Sequence, residues 1–192
     1  GRAAVEAYRR VLGLLGRDDP LVLEALLRAA MQAEDGPTAV DAARKLLARR
    51  SDHEGFLLLG DALLLSKQSE AAVQAYRKAI ALAPNAARGH LKLAAAYLQM
   101  NQPEPAAEQL LDAVRLEPNQ PEPYQALSRL YEQSGRLDLA IVALRDGINA
   151  SASAAPTVRA ELADRLAVLY ERAGMSREAE AEHYRAQTLR RR

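Results

Sequence analysis

Histidine and acidic residues are the side chains whose chemistry would be easiest to recognise in this sequence, as metal ligands or as general acids and bases. The three histidines, His53, His90 and His183, are far apart, and none has a second ligand three or four residues later, as a helical zinc motif requires. The many carboxylates alternate with Arg and Lys, which is typical of solvated helix faces. The sequence also has no Gly-rich phosphate loop with Lys and no Gly-x-Ser-x-Gly elbow. We therefore predict no catalytic residue, no metal site and no cofactor.

Composition narrows the class of protein further. The 192 residues carry a formal net charge of +1, which argues against a nucleic-acid-binding protein, since such proteins usually show a basic stripe. Cysteine is absent, so the sequence contains no disulfide and no thiolate metal site. No apolar run approaches the ~18–20 residues that span a bilayer. We expect a soluble protein of the cytoplasm or periplasm that neither binds nucleic acid nor inserts directly into a membrane.

An internal repeat of 34 residues organises the chain, and it predicts which secondary-structure elements carry the remaining residues. Residues 70–85 return as residues 104–119, with Ala, Leu, Pro and Asn at matching positions. A fixed period of this size indicates an array of stacked units. Apolar residues at i, i+3, i+4 and i+7 predict two helices in each period, and Pro84 stops the second. Gly60 and Ala72 are small where the two helices would cross, because larger side chains would hold the axes apart.

This pattern resembles the tetratricopeptide repeat (TPR) family, whose unit is a helix–turn–helix of 34 residues. The resemblance is carried by Phe56, Leu59, Gly60, Leu63, Ala72, Tyr76, Ala79 and Pro84, and again by His90, Leu93, Ala94, Tyr97, Ala106, Leu110, Ala113 and Pro118. In a third copy, Gly147 and Ala152 replace the expected Ala and Pro, which predicts a weaker end of its second helix. The resemblance implies an all-α fold, a right-handed α-solenoid of antiparallel helix pairs (a TPR superhelix) with about eleven helices.

The matches divide residues 1–192 into a single TPR array. Residues 1–16 match a second helix without its first, which we interpret as the start of a fragment cut from a longer array; a natural N-terminal cap helix is the alternative. Repeats follow at 19–52, 53–86, 87–120 and 121–154, and a final repeat with a longer preceding loop occupies 155–192. Because the first helix has no partner helix, we predict an apolar self-association edge at Val5, Tyr8 and Leu12.

The resemblance also implies a binding surface, since the first helices of successive TPR repeats line a concave groove where partner segments commonly lie. The groove positions here include Arg28, Met31, Leu57, Asp61, Leu64, Leu91, Ala95, Leu98, Gln125 and Arg129. The helix that contains Leu57 and Leu64 is apolar on nearly all sides, which indicates either burial by neighbouring helices or an apolar groove floor. The Lys and Asn that grip a C-terminal carboxylate in some TPR proteins are absent from these positions.

The sequence therefore favours a non-enzymatic protein–protein interaction scaffold that binds a peptide or helix of a partner in its groove. Its Ala-, Arg- and Leu-rich composition suggests a module of a larger bacterial assembly, secretion or envelope protein. Two alternatives stay open at this point. One is the recognition domain of an enzyme whose catalytic part lies outside this sequence, and the other is a structural spacer without a groove ligand.

Overall fold

The computed structural model describes residues 1–152 and 154–191, and within them it contains eleven α-helices and no strand. The helices are α1 (Arg2–Leu15), α2 (Pro20–Gln32), α3 (Gly36–Arg49), α4 (His53–Leu65), α5 (Ser69–Leu82), α6 (Ala87–Gln99), α7 (Pro103–Leu116), α8 (Pro121–Gln133), α9 (Leu137–Ala150), α10 (Pro156–Arg172) and α11 (Ser176–Arg190). The pairs α2–α3, α4–α5, α8–α9 and α10–α11 pack as antiparallel hairpins. The predicted all-α class and the predicted number of helices are confirmed.

The chain forms two compact units, Gly1–Ala106 and Ala107–Arg192. In the first unit, each helix from α1 to α6 packs against the next, and α4 also contacts α6. In the second unit, α8, α9, α10 and α11 pack in the same sequential way. The predicted repeats 121–154 and 155–192 include Ser153 and Arg192, which lie outside the described residues.

Glycine allows the helices of a pair to approach closely. In the α4–α5 pair, a Cβ atom on Gly60 would lie only 2.3 Å from the ring of Tyr76, which is fully buried. The α8–α9 pair exchanges these roles, since a Cβ atom on Gly147 would lie 2.7 Å from Cβ of Tyr124. Gly147 thus stands in α9 because Tyr124 fills the space beside it. The helix continues through this glycine to Ala150 and has 14 residues, as α5 does.

The turn inside each helix pair uses a left-handed backbone conformation. Glu34, Lys67, Asn101, Gly135 and Gly174 occupy corresponding turn positions, with φ between 54° and 75°. Glycine adopts this conformation without steric cost, whereas the other three residues carry a Cβ atom that opposes it. The turns of the first unit therefore hold some backbone strain, and they project Glu34 and Lys67 beside the first helices.

Candidate partner-binding groove

The apolar helix α4 is mainly a core element. Leu57 is fully buried, and Gly60, Ala62 and Leu63 are buried as well. Because α3, α5 and α6 all pack on α4, a helix that is apolar on nearly every side finds apolar neighbours on most of them. The prediction that Leu57 belongs to the partner-binding surface is therefore wrong. Leu64 differs, because it is only half-buried.

Asp61 connects three helices of the first unit. Its carboxylate accepts a hydrogen bond from the Tyr76 hydroxyl of α5 at 2.7 Å and one from the Lys92 ammonium of α6 at 2.9 Å. Burial, together with the nearby Asp61 charge, raises the pKa of Tyr76 far above its usual value. Tyr76 therefore remains protonated and donates its hydrogen bond at every physiological pH. Asp61 was predicted to face a ligand, but it already has two partners within the chain.

A groove of about 750 Å³ lies beside these residues in the first unit. It is lined by Met31, Glu34, Asp61, Leu64, Leu65, Lys67, Lys92 and Gln99. Sequence reasoning identified Met31, Asp61 and Leu64 as groove residues, and the structure brings these three together. The groove thus combines an aliphatic floor, contributed by α2 and α4, with ammonium and carboxylate groups at its margin.

The remaining predicted groove residues of the first unit lie outside this lining. Leu91 is half-buried, whereas Arg28, Ala95 and Leu98 are exposed. Among the described residues, Arg28 has no ion-pair partner.

Two lysines of the lining were missed by sequence reasoning. Lys67 lies in a turn, and Lys92 lies beside a predicted core position of α6. Lys67 stands one repeat period before Asn101 and two before Gly135, so alignment of the repeats could have placed it in the turn between two helices. No comparable signal marked Lys92.

Gln125 and Arg129 belong to α8 in the second unit, where Gln125 is half-buried and Arg129 is exposed. Glu132 pairs with Arg165 at 3.3 Å and with Arg172. Asp164 pairs with Arg190, and His183 lies 3.2 Å from Glu171 and 3.9 Å from Asp164. His183 is partly exposed and lies beside these two carboxylates at the surface.

The N-terminal edge also differs from its prediction. Val5 is buried, and Tyr8 and Leu12 are half-buried. The prediction of an exposed edge is wrong for Val5, because this side chain lies on the face with which α1 packs on α2. The exposed aliphatic residues of α1 are Val11, Leu14 and Leu15 instead.

Two further observations concern metal binding and membrane insertion. Across residues 1–152 and 154–191, no cluster of three or more His, Cys, Asp or Glu side chains has a geometry suited to a metal ion. In the same part of the chain, no helix combines the length and apolar character needed to cross a bilayer.

Comparisons with known proteins agree with this helical-hairpin architecture. A TPR repeat model matches residues 60–101, and a tetratricopeptide repeat model matches residues 87–120 and 121–153. No curated protein matches the chain in sequence.

Solved structures show the same fold at low sequence identity. The crystal structure of MamA is 20% identical, with a TM-score of 0.67 over 86% of this chain and 95% of that chain. TTC0263, a thermophilic TPR protein in Thermus thermophilus, is 24% identical, with a TM-score of 0.64 over 88% and 89% of the two chains. BtubC (BKLC) from P. vanneervenii is 18% identical, with a TM-score of 0.71 over 98% and 87%. The chain belongs to the tetratricopeptide repeat family, whose members are typically non-enzymatic scaffolds for protein–protein interaction.

Proposed function

We propose that the chain is a non-enzymatic scaffold and that the groove of its first unit binds an apolar helix or peptide of a partner protein. The observation that carries this proposal is the aliphatic floor of the groove, where Met31, Leu64 and Leu65 line a space of about 750 Å³. Burying each Leu side chain against a ligand contributes roughly 1–2 kcal/mol, whereas exposed charges contribute less.

Exposed cations at Lys67, on the groove lining, and at Arg28, outside it, favour an acidic flank on a ligand, whereas the exposed Glu34 on the lining opposes one beside it. Arg28 and Lys67 are exposed and have no ion-pair partner among residues 1–152 and 154–191. The negative charge of Asp61 is already balanced by Lys92. Carboxylates on a ligand would therefore find free cations, and salt would weaken this contribution because the cations are exposed.

The second unit supports the same choice of groove by contrast. Three acidic residues of α8 and α10, Glu132, Asp164 and Glu171, contact basic side chains of the same unit, although Glu122 and Glu161 of these helices have no ion-pair partner among the described residues. A ligand that competed for these groups would have to break existing pairs and desolvate them. The setting we propose, from the Ala-, Arg- and Leu-rich composition, is a module of a larger bacterial assembly, secretion or envelope protein.

Selection of random 16-residue peptides displayed on phage against the full chain tests this proposal. We expect the enriched peptides to be amphipathic, with Leu or Ile at helical spacing and Asp or Glu at the ends. Leu64→Glu should weaken their binding more than tenfold, because a charge would lie on the apolar floor. Val168→Glu is the matched control, since this aliphatic residue is exposed on α10 of the second unit.

Circular dichroism and urea melts establish that each variant is folded before its binding is measured. If Leu64→Glu unfolds the chain, Arg28→Glu and Lys67→Glu together repeat the test with exposed residues, and they should weaken acidic peptides most. Binding that survives these changes but is lost in Val168→Glu would contradict the proposal and place the ligand on the second unit.

A further inference from the structure

A small pocket lies at the N-terminal ends of α2 and α4, apart from the groove of the first unit. It has a volume of about 220 Å³ and shares no residue with the lining of that groove. Small-molecule sites usually enclose about 300–1,000 Å³, so this pocket has room for one ring or side chain. Its lining comes from α2, from the end of α3 with the loop after it, and from α4: Pro20, Glu24, Leu46, Arg49, Arg50, Asp52, Gly55 and Leu58.

The next repeat shows what fills the equivalent space. Helix α2 begins at Pro20 and α4 begins at His53, so these two residues occupy corresponding positions. The Nδ1–H group of the His53 imidazole donates to the Ala79 carbonyl of α5 at 2.9 Å. The same ring borders Gly89 of α6, since a Cβ atom on that glycine would lie 3.8 Å from Cε1 of His53. An imidazole therefore closes the space between α4, α5 and α6.

In the earlier repeat the same framework is present without the ring. Leu46 and Gly55 are the counterparts of Ala79 and Gly89, and both line the pocket. The Leu46 carbonyl accepts the backbone N–H of Arg50 at 3.0 Å, but within residues 1–152 and 154–191 it receives no side-chain donor. Leu46 is also half-buried, whereas Ala79 is fully buried. The space that His53 fills in one repeat is thus open in the other.

We infer that this pocket binds the uncharged imidazole ring of a histidine on a partner's peptide segment. The ring would take the place that His53 holds in the next repeat, with one ring N–H donated to the Leu46 carbonyl and one edge against Gly55. Pro20 leaves the place open, because it is exposed and its ring carries no hydrogen-bond donor. The site is separate from the groove, so it does not depend on the function proposed above.

The charges of the lining favour an uncharged polar ring over a charged group. The carboxylates of Glu24 and Asp52 and the guanidinium groups of Arg49 and Arg50 all lie on it, and Arg50 pairs with Asp52. Glu24 and Arg49 have no ion-pair partner in the described part of the chain. Any charged ligand group would therefore meet one attractive and one repulsive free charge. An aliphatic side chain would fill the space but leave the second lone pair of the Leu46 carbonyl unused.

Titration of the full chain, followed in amide NMR spectra, tests this inference. The probe is a capped pentapeptide with one histidine between glycines, at about pH 7.5, where an ordinary histidine is mostly uncharged. We expect saturable shifts of the Arg50 and Gly55 amide signals. The same peptide with phenylalanine should bind at least tenfold more weakly, because its ring has no N–H. Free imidazole should bind at least fivefold more weakly, because it lacks the flanking chain.

Pro20→His is the decisive variant, because it supplies the ring from the chain itself, as His53 does in the next repeat. It should abolish binding of the histidine peptide and move the midpoint of urea unfolding to a higher concentration. Pro20→Ala is the matched control, since it removes the same exposed proline without adding a ring. The Pro20→Ala chain should bind the peptide as the unmodified chain does.

Four results would overturn the inference. They are the absence of saturable binding, equal binding of the histidine and phenylalanine peptides, full binding to a folded Pro20→His chain, and free imidazole that binds as tightly as the peptide. The last result would make a small molecule the occupant. If Pro20→His does not fold, His53→Ala carries the test in reverse, because it empties the equivalent space. Free imidazole should then shift the Ala83 and Gly89 signals as well, and unchanged signals there would contradict the correspondence between the two repeats.

Discussion

The first helices of the two units share a packing face but differ on the side that remains accessible. In the first unit, Met31, Leu64 and Leu65 line the groove beside four charged residues, of which only Asp61 and Lys92 pair with each other. In the second unit, Glu132 and Asp164 of the corresponding helices are each held by arginines. Both regions use the same helical hairpin, so the repeat determines the backbone while the accessible positions determine what each region can bind.

The difference extends into the packing of each pair. Gly60 and Tyr76 meet at the α4–α5 crossing, whereas Ser128 and Leu144 stand at the corresponding positions of α8 and α9, and both are fully buried. A glycine thus accompanies the large ring, and a serine accompanies the smaller aliphatic side chain. The volumes of the two side chains at each crossing are therefore matched. We expect that one of the two residues can be replaced without a large loss of stability only if the other is replaced with it.

Gly60→Ser is the substitution from which we expect the largest effect. The new Cβ atom would lie 2.3 Å from the Tyr76 ring, so the helices must separate, at a cost of about 2–3 kcal/mol in the free energy of unfolding. The double variant Gly60→Ser and Tyr76→Leu copies the second unit and should recover more than half of that loss. Urea denaturation of both variants measures the effect. A double variant no more stable than Gly60→Ser would show that the two crossings are not equivalent.

Much of the fold was predictable because it depends on periodic features. The small residues at the crossings, the apolar spacing and Pro84 indicate helix pairs without reference to distant contacts. The site was less predictable. Whether Leu57 or Leu64 is accessible depends on how many neighbouring helices cover α4, and about two helix turns separate the core residue from the groove residue. Lys92 enters the groove only through the folded proximity of α4 and α6.

Helix capping separates the units in a second way and predicts an acid-sensitive difference. Asp19, Asp35 and Asp52 cap α2, α3 and α4 in the first unit, whereas α1, α5 and α6 of that unit and α8 to α11, as far as the structure describes them, have no capping side chain. The Thr38 hydroxyl and backbone N–H donate to Asp35 and lower the pKa of its carboxyl. Because this pKa is lowered, the cap stabilises the folded state at pH values above the ordinary Asp pKa of about 4. This contribution is lost as the pH falls through the pKa of Asp35 in the folded state.

Asp35→Ala should therefore lower the free energy of unfolding by about 1 kcal/mol at neutral pH and by much less near pH 2. Urea melts at the two pH values measure this difference. Gln68→Ala is the control, because Gln68 precedes α5 without making a side-chain cap bond, and its effect should be small at both values. Equal losses for Asp35→Ala at neutral and acidic pH would mean that the carboxylate charge does not contribute to the cap.

The smallest expected effect concerns the turns inside the helix pairs. Lys67 has φ of 59° in the first unit, whereas the corresponding turn of the second unit has Gly135 with φ of 73°. Lys67→Gly should remove the steric cost of the left-handed conformation and, after the larger entropy of the unfolded glycine chain is counted, stabilise the protein by about 0.5 kcal/mol. Gly135→Lys should destabilise it by a similar amount, since a Cβ atom there meets no neighbouring atom and only backbone strain is added. Thermal and urea melts of the two variants measure this pair of opposite shifts.

The same Lys67→Gly variant removes a cation from the groove, so acidic peptides should bind it more weakly even though the fold is more stable. A variant that is both less stable and unchanged in binding would show that Lys67 serves the turn by a contact of its long side chain rather than the groove by its charge.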